Sequence, residues 1–242
     1  MASPPNPQMM ARAFTRRGAT HAVNDDRYAL YDGRVAVVRE ARRGVLYALA
    51  DGVSSTTNGY RAAEATCEAL AEFFVTSRPV SDELFLDLVE TADAQVRLTT
   101  GAACTLALLW LDGRYGCVVN AGDTAIYRYR RGKLSRITPS QTRGGGLATY
   151  IGMGPTVRHT TWLERIDVAP NDVFILATDG VIRVVKEPQL EEALEIHRSI
   201  DAVMEMTWSE LQRLGHPDDA TMIVVDVGEP DESPLMGGLP SP

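Results

Sequence analysis

Short β-type runs joined by tight turns and interrupted by pairs of amphipathic helices constrain this 242-residue chain more than any other feature. Residues 105–111 and 115–121 flank Asp112-Gly113, and residues 125–129 and 134–137 flank Arg131-Gly132. Such turns favour hairpins because glycine accepts the positive φ that a tight link needs. Earlier runs lie at 27–30, 35–39 and 44–50, with Asp32-Gly33 marking a turn between the first two. After Asn58-Gly59, Ala63, Cys67, Leu70 and Phe74 recur at helical spacing. A second helix is expected after the N-cap Ser81, with Asp82 and Glu83 at the positive end of its dipole and Phe85, Leu88, Val89, Ala92 and Val96 as its buried stripe. Strands are expected again at 160–168 and 172–177, then helices at 187–197 and 201–214, the latter with an apolar face of Ile200, Met204, Trp208 and Leu211, and a last strand at 221–227. Hairpins interrupted by helix pairs predict an α+β fold of antiparallel sheets with helices packed outside. Residues 140–155 hold five glycines and little periodicity, which reads as a mobile loop over a site.

Four acidic elements sit beside these apolar runs. Asn24-Asp25-Asp26 precedes the first run, Asp51-Gly52 follows 45–50, Asp179-Gly180 follows 173–178, and Asp218-Asp219 stands just before 221–225. Singly, each reads as a turn. Together, at rigid strand ends, they predict a site for a hard cation, because clustered carboxylates repel one another unless a cation lies between them. An all-oxygen donor set favours Mg²⁺ or Mn²⁺ over Zn²⁺. Two such ions lower the pKa of a shared water and offset phosphoryl charge.

Composition narrows the class further. The net charge is -8 and no basic cluster offsets it, which argues against a nucleic-acid partner. Cys67, Cys104 and Cys117 are odd in number and none forms a C-x-x-C pair, so core packing in a reducing compartment is expected. With neither a signal-type apolar core nor a run of membrane-spanning length, the expected location is cytoplasmic, with no membrane partner. Residues 1–9 read as a flexible leader, 10–227 as one domain and 228–242 as a disordered tail.

Six segments in order then resemble the PP2C-like, metal-dependent serine/threonine protein phosphatases of compact bacterial type. They are Gly18-Ala-Thr-His-Ala-Val-Asn-Asp-Asp26, Ala50-Asp-Gly-Val53, Thr100-Gly-Ala-Ala-Cys-Thr105, Asn120-Ala-Gly-Asp-Thr124, Ala177-Thr-Asp-Gly180 and Pro217-Asp-Asp-Ala-Thr221. The resemblance implies a four-layer α-β-β-α sandwich: two antiparallel sheets flanked by helix pairs. It implies that Asp51 bridges two metal ions, that Gly52 offers its carbonyl to one, and that Asp179 and Asp218 hold the first ion. Asp25, with Asp26 beside it, matches the acidic position reaching the second ion, and Asp123 matches a third, weaker metal site. The implied reaction is hydrolysis of phosphoserine and phosphothreonine by a metal-bridging hydroxide, without a phospho-enzyme. Phosphoprotein substrates and a cognate Ser/Thr kinase are the implied partners.

The chain departs from the family pattern at several positions. His21 stands where many members place a phosphate-binding arginine, with Arg17 or Arg16 as substitutes. Val53 replaces a histidine suggested as general acid in eukaryotic members, leaving water to protonate the leaving group; Ser140-Gln141 replaces the usual Asp-His of the flap, and Asp219 replaces a usual Asn. These departures keep two other readings open: a catalytically weak phosphatase-like regulatory module, and another divalent-metal phosphoesterase.

Overall fold

A computed structural model describes residues 7–197 and 199–230. Ten of its twelve described strands form two five-stranded antiparallel sheets. The first runs β1 (Pro7–Arg16), β12 (Ala220–Pro230), β11 (Val173–Ala177), β6 (Ala125–Arg130), β7 (Lys133–Arg136). The second runs β10 (Trp162–Asp167), β5 (Tyr115–Ala121), β4 (Leu106–Asp112), β3 (Val45–Ala50), β2 (Arg27–Tyr31). Both expected hairpins form, β4 with β5 and β6 with β7.

Three apolar clusters define the layers. Tyr47, Leu49, Leu109, Val118, Ile126, Phe174, Leu176, Ile223 and Val225 fill the space between the sheets. Their neighbours of opposite parity, Leu46, Ala48, Leu108 and Trp110, face helices α2 (Gly59–Ala69) and α4 (Asp82–Thr99), with Phe73 of α3 (Glu72–Val75) and Phe85 between them. On the other side Ile175, Met222 and Val224 face α7 (Glu187–His197) and α8 (Ile200–Leu214). Alternate side chains along a strand point to opposite faces. Central strands covered on both faces are therefore apolar at every position, which explains their unbroken apolar runs. The result is the expected α-β-β-α sandwich.

Helix α4 begins as expected: Ser81 Oγ accepts the Leu84 N–H at 3.2 Å. Four expectations need correction. Residues 35–39 are not a strand: Val35 is the N-cap of α1 (Ala36–Ala41) and 36–39 lie on that helix, where Val38 is buried against the α2–α4 layer. Phe74 does not continue α2, which ends at Ala69, but lies on the separate turn α3. Strand β1 begins at Pro7, inside the stretch expected to be a leader, and pairs with β12 over its length, so the sheet gains an edge strand. Strand β12 likewise extends to Pro230, into the expected tail, whose remainder lies outside the described residues. The 140–155 loop carries a small hairpin, β8 (Thr142–Arg143) with β9 (Gly146–Leu147), followed by α5 (Val157–Thr160).

Candidate active site

The acidic elements come from both sheets. Asp26 immediately precedes β2 and Asp51 follows β3; Asp179 opens the single turn α6 (Asp179–Ile182) after β11, and Asp218 lies just ahead of β12. Desolvation holds the Asp51 carboxyl well above the usual range, reinforced by the charges of Asp26, Asp179, Asp123 and Asp218. Asp179 is raised to about 6, chiefly by desolvation, with Asp218 and Asp123 adding to it and Arg183 opposing it. Buried Asp26 reaches about 7, again chiefly by desolvation. Five aspartates distant in sequence thus share one electrostatic neighbourhood. Raised carboxyl pKa values of this kind mark places where charge is concentrated for function.

Asp219 frames the loops around them. Its Oδ1 accepts the Gly18 N–H at 2.7 Å and its Oδ2 accepts the Asp25 N–H at 2.7 Å. Close backbone approaches demand glycine at two of the motif positions. A Cβ on Gly52 would lie 2.5 Å from the Gly59 carbonyl carbon and 2.8 Å from the Asp25 carbonyl oxygen, and one on Gly180 would lie 1.9 Å from the Asp219 carbonyl oxygen. Thr105 fixes Asp51 from both backbone sides: its N–H donates to the Asp51 carbonyl at 2.8 Å and its Oγ1 accepts the Asp51 N–H at 3.1 Å. Its hydroxyl also bonds the Thr124 hydroxyl at 2.6 Å, tying Asp51 to the turn that carries Asp123.

Asp25 and Asp26 diverge. The Asp25 Oδ1 accepts the Tyr60 N–H at 2.9 Å, satisfying a free donor in the first turn of α2. One ligand atom from each of His21, Asp25 and Asp219 lies within 4.8 Å of the others. Asp26 instead faces Asp51 and Asp179 from a buried position, and Thr178 Oγ1 donates to its Oδ2 at 3.1 Å. Its Oδ1 is buried without a hydrogen-bond partner among the described residues. An unpaired buried carboxylate oxygen is costly in an apolar setting. Together with the raised carboxyls and the all-oxygen donors, it fits a hard divalent cation.

The groups expected to contact phosphate are engaged internally. His21 Nδ1 lies 2.9 Å from Asp219 Oδ2 and Nε2 lies 3.5 Å from Asp218 Oδ1. The hydrogen bond to Asp219 is the main cause of a raised His21 pKa. Arg17 Nη1 donates to the His21 and Ala22 carbonyls at 3.0 and 3.1 Å, which shapes the loop. The Arg16 guanidinium stacks over the Trp208 ring at 4.5 Å.

The glycine-rich loop forms one wall of a cavity of about 450 Å³ that Asp123 also lines, with Val53, Ser55, Thr142, Leu147 and Tyr150. Gln141 ties this loop to the Asp123 turn: its Oε1 accepts the Gly122 N–H at 2.9 Å and its Nε2 donates to the Thr160 carbonyl at 2.7 Å. At the loop's far base, buried Asp93 accepts the N–H groups of Gly152 and Gly154 at 2.7 and 3.0 Å. A larger groove of about 560 Å³ lies away from the carboxylates, lined by residues of α2, α3 and α4. Arg183, which is not among the expected site residues, pairs with both Asp179 and Asp218. Its only sequence signal is a basic residue four positions after Asp179, one helical turn away.

Comparison with known proteins places this geometry in a family. The family model described as Protein phosphatase 2C matches residues 16–217, and the chain belongs to that family. Serine/threonine protein phosphatase PstP of Mycobacterium tuberculosis is 27% identical over 264 aligned residues, covering 95% of this chain and 48% of the relative. The chain therefore spans about half the length of that curated relative. Among solved structures, serine/threonine phosphatase Stp1 from Staphylococcus aureus superposes with a TM-score of 0.79 at 14% identity, covering 95% of this chain and 99% of the other. The catalytic domain of PstP in complex with two manganese ions superposes with a TM-score of 0.70 at 24% identity, covering 91% and 99%. Both structures share the fold.

Proposed function

We propose that this chain is a divalent-metal-dependent protein serine/threonine phosphatase acting on phosphoproteins, and that it opposes a Ser/Thr kinase. The observation that carries this reading is the shared electrostatic neighbourhood of Asp26, Asp51, Asp123, Asp179 and Asp218 at strand ends of a PP2C fold. Asp51 would bridge two ions with help from the Gly52 carbonyl, Asp179 and Asp218 would complete the first site, Asp26 and Asp25 would serve the second, and Asp123 a third, weaker one. The manganese ions in the PstP catalytic-domain structure support Mn²⁺ as the ion, and the all-oxygen donor set suits Mg²⁺ as well. When bound, such ions acidify water and neutralise phosphoryl charge.

The protein's own residues contribute position and exclusion. Thr105 holds the Asp51 backbone, Asp219 holds the His21–Asp25 loop, and the hydroxyl of Thr178 steadies Asp26. The thiols are unsuited to covalent catalysis: Cys104 and Cys117 are buried, and desolvation raises both thiols to about 12. Only a thiolate is an effective nucleophile, so direct hydrolysis by water fits better than a phospho-cysteine route. Val53 leaves no imidazole directly after Gly52, so water is the proton donor to the leaving oxygen. The loop wall containing Leu147 and Tyr150 borders the space available to a substrate chain. Hydrolysis of para-nitrophenyl phosphate with Mn²⁺, and its loss on chelation, tests the metal requirement; equal turnover with and without metal would remove this reading.

A further inference from the structure

Arg183 sits where two candidate metal ligands meet. Its Nη2 lies 2.5 Å from Asp179 Oδ2 and its Nη1 lies 2.8 Å from Asp218 Oδ2. These two carboxylates are the guanidinium's ion-pair partners among the described residues, Asp218 also accepting a hydrogen bond from it, and its side chain is 63% exposed. Asp218 is enclosed further: its Oδ1 accepts the Asp219 N–H at 3.0 Å and lies 3.5 Å from His21 Nε2. The guanidinium therefore bridges two carboxylates contributed by separate segments, one after β11 and one before β12. A planar guanidinium with several N–H donors can reach one oxygen of each carboxylate at once.

We infer that Arg183 is an internal cation that occupies Asp179 and Asp218 in the metal-free protein and is displaced when a divalent cation takes them. The inference rests on the metal-holding role proposed above for these two aspartates. A guanidinium and a dication sharing the same two oxygens would face each other at close range, and like charges at that distance repel strongly. The flexible, exposed arginine side chain is the partner that can leave. Its departure breaks no backbone contact, because the Arg183 N–H donates to the Asp179 carbonyl at 2.8 Å independently of the side chain. Arg183 thus keeps the two ligands together without metal and weakens metal binding by competing for them.

The test is isothermal titration of Mn²⁺ into the metal-stripped wild type and Arg183→Gln, with circular dichroism confirming that both are folded. The expected result is Mn²⁺ affinity about fivefold to tenfold tighter in Arg183→Gln. A lower melting temperature than wild type is expected without metal, and none at saturating Mn²⁺. Unchanged or weaker Mn²⁺ binding in the variant would overturn the inference while leaving the metal reading intact. Failure of both proteins to bind Mn²⁺ would overturn the metal reading and the inference together.

Discussion

The buried carboxylate of Asp219 accepts the backbone N–H of Asp25 at 2.7 Å, joining loops 194 residues apart in sequence. The same carboxylate accepts the Gly18 N–H through its other oxygen. Replacing Asp219 by alanine leaves two backbone donors without this acceptor. Each unsatisfied buried donor costs about 1–3 kcal/mol. Asp219→Ala is expected to lower unfolding stability by about 2 kcal/mol or more in urea titration, and Asp219→Asn, which keeps one acceptor oxygen, by less.

Gly180 is the tightest point of the site. Its added Cβ would meet the Asp219 carbonyl oxygen, a backbone atom that cannot swing aside. Gly180→Ala is expected to destabilise the protein by about 3 kcal/mol, at the upper end of ordinary overpacking costs. Its thermal melt should show a drop of several degrees, whereas Gly132→Ala, at a glycine whose Cβ would meet nothing within 4 Å but whose φ is +78°, should cost only about 1 kcal/mol of backbone strain.

The carboxyls make the metal-free protein pH-sensitive in a definite direction. Folding raises Asp26 to about 7 and Asp179 to about 6, so the folded state binds more protons than the unfolded one between pH 4 and 7. Stability contributed by the protonated carboxyls is present at the acidic end and is lost as pH rises through the folded pKa values. Chemical denaturation of the stripped protein is expected to give a stability that falls by about 2–4 kcal/mol between pH 5 and 8, one pKa unit being about 1.4 kcal/mol. Saturating Mn²⁺ is expected to flatten that slope, because the cation favours the ionised form.

Asp93 controls the far base of the glycine-rich loop through Gly152 and Gly154, and Arg97 pairs with its other oxygen at 2.9 Å. Asp93→Ala removes charge-assisted bonds of about 1.5–3 kcal/mol each. Hydrogen exchange across residues 140–155 is expected to accelerate. If that loop wall orders substrate, KM for a phosphopeptide is expected to rise more than kcat falls.

Much of this was legible in the sequence because burial on both faces leaves a strand apolar at every position, as in 45–50 and 106–111. The hairpins were legible in their Gly-containing turns. Strand β1 was not: it is an edge strand with one paired neighbour, and its Arg12 and Arg16 interrupt the apolar pattern beside a Pro- and Met-rich start. The valines at 35, 37 and 38 read as β-formers, but burial of Val38 against the helical layer prevailed over that weak preference. Within the site, the aspartates declared themselves through type and neighbours. The engagement of His21 by Asp218 and Asp219, and of Arg183 by Asp179 and Asp218, depends on loops meeting in space, and local spacing carries no trace of the contacts to the 218–219 loop.

In the proposed function, clustered aspartates hold the ions of a metal-dependent protein phosphatase. Release of inorganic phosphate from a phosphothreonine peptide, measured with Mn²⁺ for the wild type, Asp51→Asn and Asp179→Asn, tests it most directly. Mn²⁺-dependent turnover is expected from the wild type, with a loss of at least about a hundredfold in each variant, since each removes a charged group proposed to hold the ions. Turnover that persists in both folded variants, or its absence from the Mn²⁺-loaded wild type, would contradict it.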